Sequence, residues 1–189
     1  DHIETEVSSR LQIAHQVLEE LGAELVDVVI PDLELINDLQ QVFVKSEAAV
    51  ICGRLMRKYP EKMTHDSISV VQEGLLIPAT RYLEAQALRS QLLESHVRTI
   101  YSKVDVMFSP VLSGSVPTIS ETDFEEHGAV EELFTRSARL TRFANYLGTP
   151  ALSVPCGFLT DGLPTAFQLH APPFSEARIL AVAHAFQTI

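Results

Sequence analysis

The sequence predicts an α/β protein, a mixed β-sheet flanked by helices, and three observations predict it. An apolar stripe at helical spacing runs straight into a β-branched stretch closed by proline, Leu25 to Pro31. Two more β-prone runs flank the turn signal Thr160-Asp161-Gly162 near the C-terminus. Long segments of helical periodicity separate these runs. With 189 residues, 46% of them hydrophobic, the chain can bury a sizeable core, and its length allows one domain or two over 1–189.

Taken in order, Leu11, Ala14, Leu18 and Leu21 form the first stripe, with Ser9 and Gln12 placed as a capping box and Gly22 as the stop. Leu25 to Ile30 then reads as a strand buried on much of both faces. A helix feeding such a strand is normally the crossover of a βαβ unit, so its partner strand is expected upstream of Asp1. Helices follow over about 37–58 and about 80–103, the latter supported by the Glu94 to Arg98 pair. Val104 to Pro110 reads as a strand ending at proline, and residues 113–128 as a long loop without periodicity. A helix over about 130–147 precedes the strands 151–158 and 165–170, which the Asp-Gly turn joins as a hairpin. The final helix has Ser175 as N-cap, Phe174 and Ile179 as a staple, and Leu180, Ala183 and His184 facing inward.

Composition excludes several functions. A formal net charge of -11 opposes nucleic-acid binding, which draws on clustered Lys and Arg. No apolar run approaches the roughly 20 residues that a membrane helix needs. The acidic group Glu121, Asp123, Glu125, Glu126, Glu131 and Glu132 reads as a solvated loop running into a helix start. Cys52 and Cys156 are far apart and make neither a disulfide framework nor a metal pair, which fits a reducing cytoplasm. The seven histidines are scattered and set no metal-ligand spacing. His170, beside a strand end, reads first as a structural histidine. Glycine-rich phosphate loops are lacking, so neither a metal nor a cofactor is expected.

Nucleophilic chemistry needs an activated Ser, Cys or Thr, and no Gly-x-Ser-x-Gly elbow occurs. Cys156 reads as a small buried hydrophobe rather than a nucleophile. From the residues alone, the chain is a scaffold without a self-sufficient active site.

The stretch Asn145-Tyr146-Leu147-Gly148-Thr149-Pro150-Ala151-Leu152-Ser153-Val154-Pro155-Cys156-Gly157-Phe158, followed by Asp161-Gly162-Leu163-Pro164-Thr165-Ala166-Phe167-Gln168, resembles the C-terminal part of the amidase signature family. Leu21-Gly22-Ala23-Glu24, Ser46-Glu47-Ala48 and Val104-Asp105-Val106 with Ser109-Pro110 extend the resemblance along nearly the whole chain. Ala166 stands where the family pattern has glycine, and Thr165 where it has Val or Ile. The resemblance implies the C-terminal portion of a single amidase domain. Its Ser-Ser-Lys chemistry, a nucleophilic serine activated through a second serine and a lysine, lies in an N-terminal half that this chain lacks. No catalytic residue is therefore carried over, and the chain alone is expected to be inactive.

The same resemblance makes Pro110, Asn145, Pro155, Cys156 and Gln168 candidates for the substrate-cleft wall, with packing and turn geometry the competing account of each. It implies a small amide substrate, the N-terminal half as partner, and no nucleic acid or membrane, with a homodimer left open. Ala138, where glutamine amidotransferase subunits of the family carry an acidic residue, argues against a glutamine-dependent transamidase. The alternative reading is a non-catalytic binding or assembly subunit that keeps the fold. An unrelated flavodoxin-like domain is disfavoured by too few strands and the terminal hairpin.

Overall fold

A computed structural model describes residues 3–123 and 138–189. Helices α1 (Thr5–Glu20), α2 (Leu33–Lys58), α3 (His65–Leu76) and α4 (Ala79–Ile100) come first. Strand β1 (Met107–Pro110), the short helix α5 (Arg142–Leu147), strands β2 (Ala151–Phe158) and β3 (Pro164–His170), and helix α6 (Glu176–Gln187) complete the order. The strands form one sheet in the order β1-β3-β2. Both ladders are antiparallel, so any parallel part of a mixed sheet would lie outside these strands.

The terminal hairpin is the element read best from sequence. Leu159 N donates to Leu163 O at 2.8 Å across the turn, and Asp161 accepts from Leu163 N at 2.9 Å, the self-bonding that suits Asp to turns. Gly162 supplies the required positive φ of 83°. Pairing runs from Ala151 opposite His170 to Phe158 opposite Pro164, with the register slipping between Pro155 and Gly157. Proline cannot donate to a ladder, and the slip absorbs it, leaving Cys156 as the extra residue of a bulge.

Two apolar cores lie on opposite faces of the sheet. On one, Val7, Leu11 and Ala14 of α1 and Ile179 and Ala183 of α6 pack on Val154, Phe167 and Leu169. An aromatic series crosses this layer: His15 on Phe108 at 4.4 Å, Phe108 stacked on Phe167 at 4.6 Å, and Phe167 edge-on to Phe186 at 4.9 Å. On the other face Ile36, Leu39, Leu92, Ile100, Met107, Phe143, Tyr146 and Leu147 gather from α2, α4, β1 and α5. There the Tyr146 hydroxyl donates to the Ala85 carbonyl at 2.6 Å, which lets a buried phenol close α5 onto α4.

Several sequence expectations are corrected. Residues 25–30 join no ladder; Val28 and Ile30 pack on the second core while Val29 is 82% exposed. The alternation is that of a strand, but no partner strand stands beside it among the described residues. Helix α1 begins at Thr5, so Ser9 is interior and its hydroxyl donates back to Thr5 O at 2.8 Å instead of capping. Helix α3 went unanticipated: Thr64 caps it by accepting from Ser67 N, but its 12 residues are punctuated by Gly74. At that glycine α3 touches α2 so closely that an added Cβ would overlap the Lys45 carbonyl and meet Ala49 Cβ at 2.9 Å. The strand foreseen from Val104 is paired only from Met107. In α6, Ile179 and Ala183 face inward, whereas Leu180 is 56% exposed and His184 is exposed too. Phe174 is 96% exposed, so it forms no staple with Ile179. Ser175 holds the N-cap position without a side-chain cap bond. Of the 113–128 loop and the 130–147 helix, residues 124–137 lie outside the described part.

Candidate functional site

Alternation along the strands sorts the candidate residues onto two faces. Phe167 and Leu169 point into the α1/α6 core, so Ala166, Gln168 and His170 share the opposite face of β3. Directly across stand Met107 and Ser109 of β1, opposite His170 and Gln168, and Ala151, Ser153 and Pro155 of β2, opposite His170, Gln168 and Ala166. The β2 side of this face is open, with Ala151, Ser153 and Pro155 all exposed.

Gln168 organises the face. It is 4% exposed, and its side-chain amide nitrogen donates to Pro110 O and to Leu140 O, both at 2.8 Å. Both amide protons are thereby used. The bond to Pro110 fixes the end of β1, beyond which Val111 N still donates to Ala166 O at 3.4 Å. The bond to Leu140 anchors the segment that leads into α5. Helix α5 ends at Gly148, whose φ of 73° turns the chain so that Gly148 N donates to Ala144 O at 2.8 Å and Pro150 enters β2.

Of the residues singled out in the sequence, Pro110 and Gln168 are joined directly, and Pro155 stands on the same sheet face. Asn145 is exposed on α5. Cys156 packs against the α1/α6 core, on the side away from Gln168, and its thiol donates to Thr165 O at 3.7 Å. Burial pushes that thiol above its ordinary range, against the opposing pull of the Phe167 backbone and the Arg10 charge. A desolvated thiol bonded to a carbonyl is a poor nucleophile. Two participants were missed. Ser109 faces Gln168 across the ladder with its hydroxyl buried, and the Leu140 carbonyl is a backbone acceptor that no side-chain motif can announce.

The three strands thus present one face braced by Gln168 and open on its β2 side, within an α/β arrangement of helices about a small antiparallel sheet. The chain belongs to the amidase family, whose model, described simply as Amidase, matches residues 1–180. It is 35% identical to an amidase of Pseudomonas putida over 191 residues, which take in 99% of this chain and 40% of that protein. A fatty acid amide hydrolase of Arabidopsis thaliana is 28% identical, covering 89% of this chain and 28% of that protein. A glutamyl-tRNA(Gln) amidotransferase component from Neisseria gonorrhoeae is 28% identical, over 97% of this chain and 42% of that one. Among solved structures, an amidase superposes with a TM-score of 0.83 at 23% identity, over 98% of this chain and 42% of that chain. A chain from a vestigial protein complex bearing on the origins of an s-triazine catabolic enzyme gives 0.80 at 24% identity, over 98% and 40%. At such identities the structural likeness speaks for the fold. This chain thus spans about two-fifths of the length of the Pseudomonas relative.

Among the described residues no helix is long and apolar enough to cross a membrane, and no group of three or more His, Cys, Asp or Glu is placed to hold a metal ion.

Proposed function

We propose that this chain is the cleft-wall portion of an amidase that hydrolyses the C–N bond of a carboxylic amide. The Ser-Ser-Lys machinery lies in the part of the family fold that precedes it. The observation that carries this reading is the braced, one-sided sheet face: Gln168 ties Pro110 and Leu140 together beneath an edge where Ser153 and Pro155 stand exposed. Such a face positions substrate but supplies no nucleophile. In the hydrolysis, a serine oxygen that has given its proton to a base attacks the amide carbon, the carbonyl oxygen takes the negative charge, the amine leaves carrying that proton, and water then cleaves the acyl-serine to the acid and free serine. The wall's contribution is to hold the substrate at the attack distance and to keep bulk water out. Pro110, Asn145, Pro155 and Gln168 frame that wall, and Cys156 sets the bulge at its rim.

The test is made on the native gene product. Amide hydrolysis that disappears when a serine in an upstream Gly/Ser-rich segment is replaced by alanine supports the reading. A native protein that begins near Asp1 and hydrolyses no amide removes it. In that case the remaining reading is a binding or assembly subunit that keeps the fold. The native mass then tells whether a second chain completes the sheet.

A further inference from the structure

Beneath the braced face lie two enclosed imidazoles. His96 on α4 and His170 at the end of β3 are both 0% exposed. None of their four ring nitrogens has a hydrogen-bond partner. Both rings pack on Phe143 of α5, His170 at 4.7 Å and His96 at 5.8 Å between centroids, and His96 also meets Tyr101 edge-on at 5.7 Å. A neutral imidazole suits this aromatic packing. An imidazolium adds a charge and a second N–H donor to rings whose nitrogens already go unbonded in this enclosed place.

The position of these rings gives them leverage. Strand β3 holds the 140–147 segment at two points two residues apart: Gln168 by its bond to Leu140 O, and His170 by its contact with Phe143. We propose that the His96–Phe143–His170 cluster is an acid-released latch. With both imidazoles neutral it seats residues 140–147 on the sheet, and protonation of either one frees that segment. The release does not depend on the amidase reading; its consequence, loss of the cleft wall at acid pH, rests on it.

On α2, which packs against both α4 and α5, Glu34 pairs with Arg139 and Lys45 with Glu73. From the C-terminal end of α4 the titratable neighbour is the Tyr101 phenol, which burial pushes well up and keeps neutral. On α4 itself, Arg81 pairs with Glu84 and Glu94 with Arg98 on exposed sides, and Arg89 lies against Gly148. Helix α5 brings Arg142, a further cation. The residues of β1 and β2 opposite His170 are Met107 and Ala151, which do not titrate. Burial holds His96 down to about 4, and burial together with the His96 charge holds His170 at about 4. An imidazole freed by opening returns to about 6.5. The opened state therefore binds the extra proton, and the latch weakens as pH falls from about 6.5 toward 4. Each imidazole then favours opening on the order of 10- to 100-fold by about pH 4.5.

The experiment uses the native gene product, with amide hydrogen exchange and histidine C2-hydrogen exchange followed by mass spectrometry across this pH range. The expected result is that His96 and His170 titrate below pH 5 and that peptides covering 140–147 lose protection ahead of α1 and α6 on the other face. In His170→Phe or His96→Phe the loss moves to lower pH. Either histidine titrating near 6.5, or protection lost together in every element, overturns the latch. Should neither variant fold, the histidine titration of the unaltered protein still decides. Hydrolysis falling at acid pH with 140–147 still protected also overturns the latch while sparing the amidase reading. Segment release in a protein that hydrolyses no amide does the reverse.

Discussion

Gln168 shows how one side chain can tie together distant parts of the chain. Its amide protons close two carbonyls that come from distant parts of the chain, Pro110 and Leu140. Replacing it with leucine leaves both half-buried acceptors without this donor, and we expect a loss of about 1–3 kcal/mol in urea unfolding. Gln168→Glu should be worse than Gln168→Leu near neutral pH, because a carboxylate would face two carbonyl oxygens with no proton to give. Cys156 illustrates the opposite case. Its thiol is desolvated and bonded to Thr165 O. Cys156→Ala should leave amide hydrolysis by the native gene product within about twofold, and a larger loss would give the thiol a catalytic part. The reading of Cys156 as a small apolar group rather than a nucleophile was open to sequence, whereas its place as the extra residue of a bulge was not. The double bond of Gln168 was not, because its acceptors are backbone atoms 58 and 28 residues away.

Among the elements, the ones legible from sequence are those whose signals are local. The hairpin follows from Asp161-Gly162 between β-prone runs, and the stop of α1 from Gly22, whose φ is 94°. Those that escaped depend on tertiary contact. Helix α3 exists because Gly74 lets it press onto α2, with Lys45 and Glu73 paired across the seam. The segment 25–30 has a strand's alternation yet no strand beside it among the described residues, and alternation alone names no partner. Gly74→Ala tests the seam. The added methyl has backbone in its way rather than a flexible side chain, so the helices must separate, and we expect a loss of about 1–3 kcal/mol. A stabilising effect, of the kind Gly-to-Ala changes give on open helix surfaces, would show that the contact is looser than its geometry implies.

For the whole molecule, both edge strands of the sheet lack a further ladder among the described residues, and Val29, Val50, Leu76 and Phe174 are each more than three-quarters exposed. The chain produced alone should therefore self-associate as its concentration rises, seen as a growing mass in light scattering. A constant monomer mass would mean that these surfaces are tolerated by solvent. The start of α1 has a consequence of another kind. Glu4 accepts from Ser115 N at 3.0 Å and from its hydroxyl, and Glu6 accepts from Thr160 N, a contact spanning 154 positions of sequence. Val7, Leu11 and Ala14 behind them rest on Val154, Phe167 and Leu169. The helix at the front of this stretch has its seat built by residues that leave the ribosome long after it. Contacts between residues so far apart close late, and during synthesis α1 cannot take this seat until the hairpin has emerged.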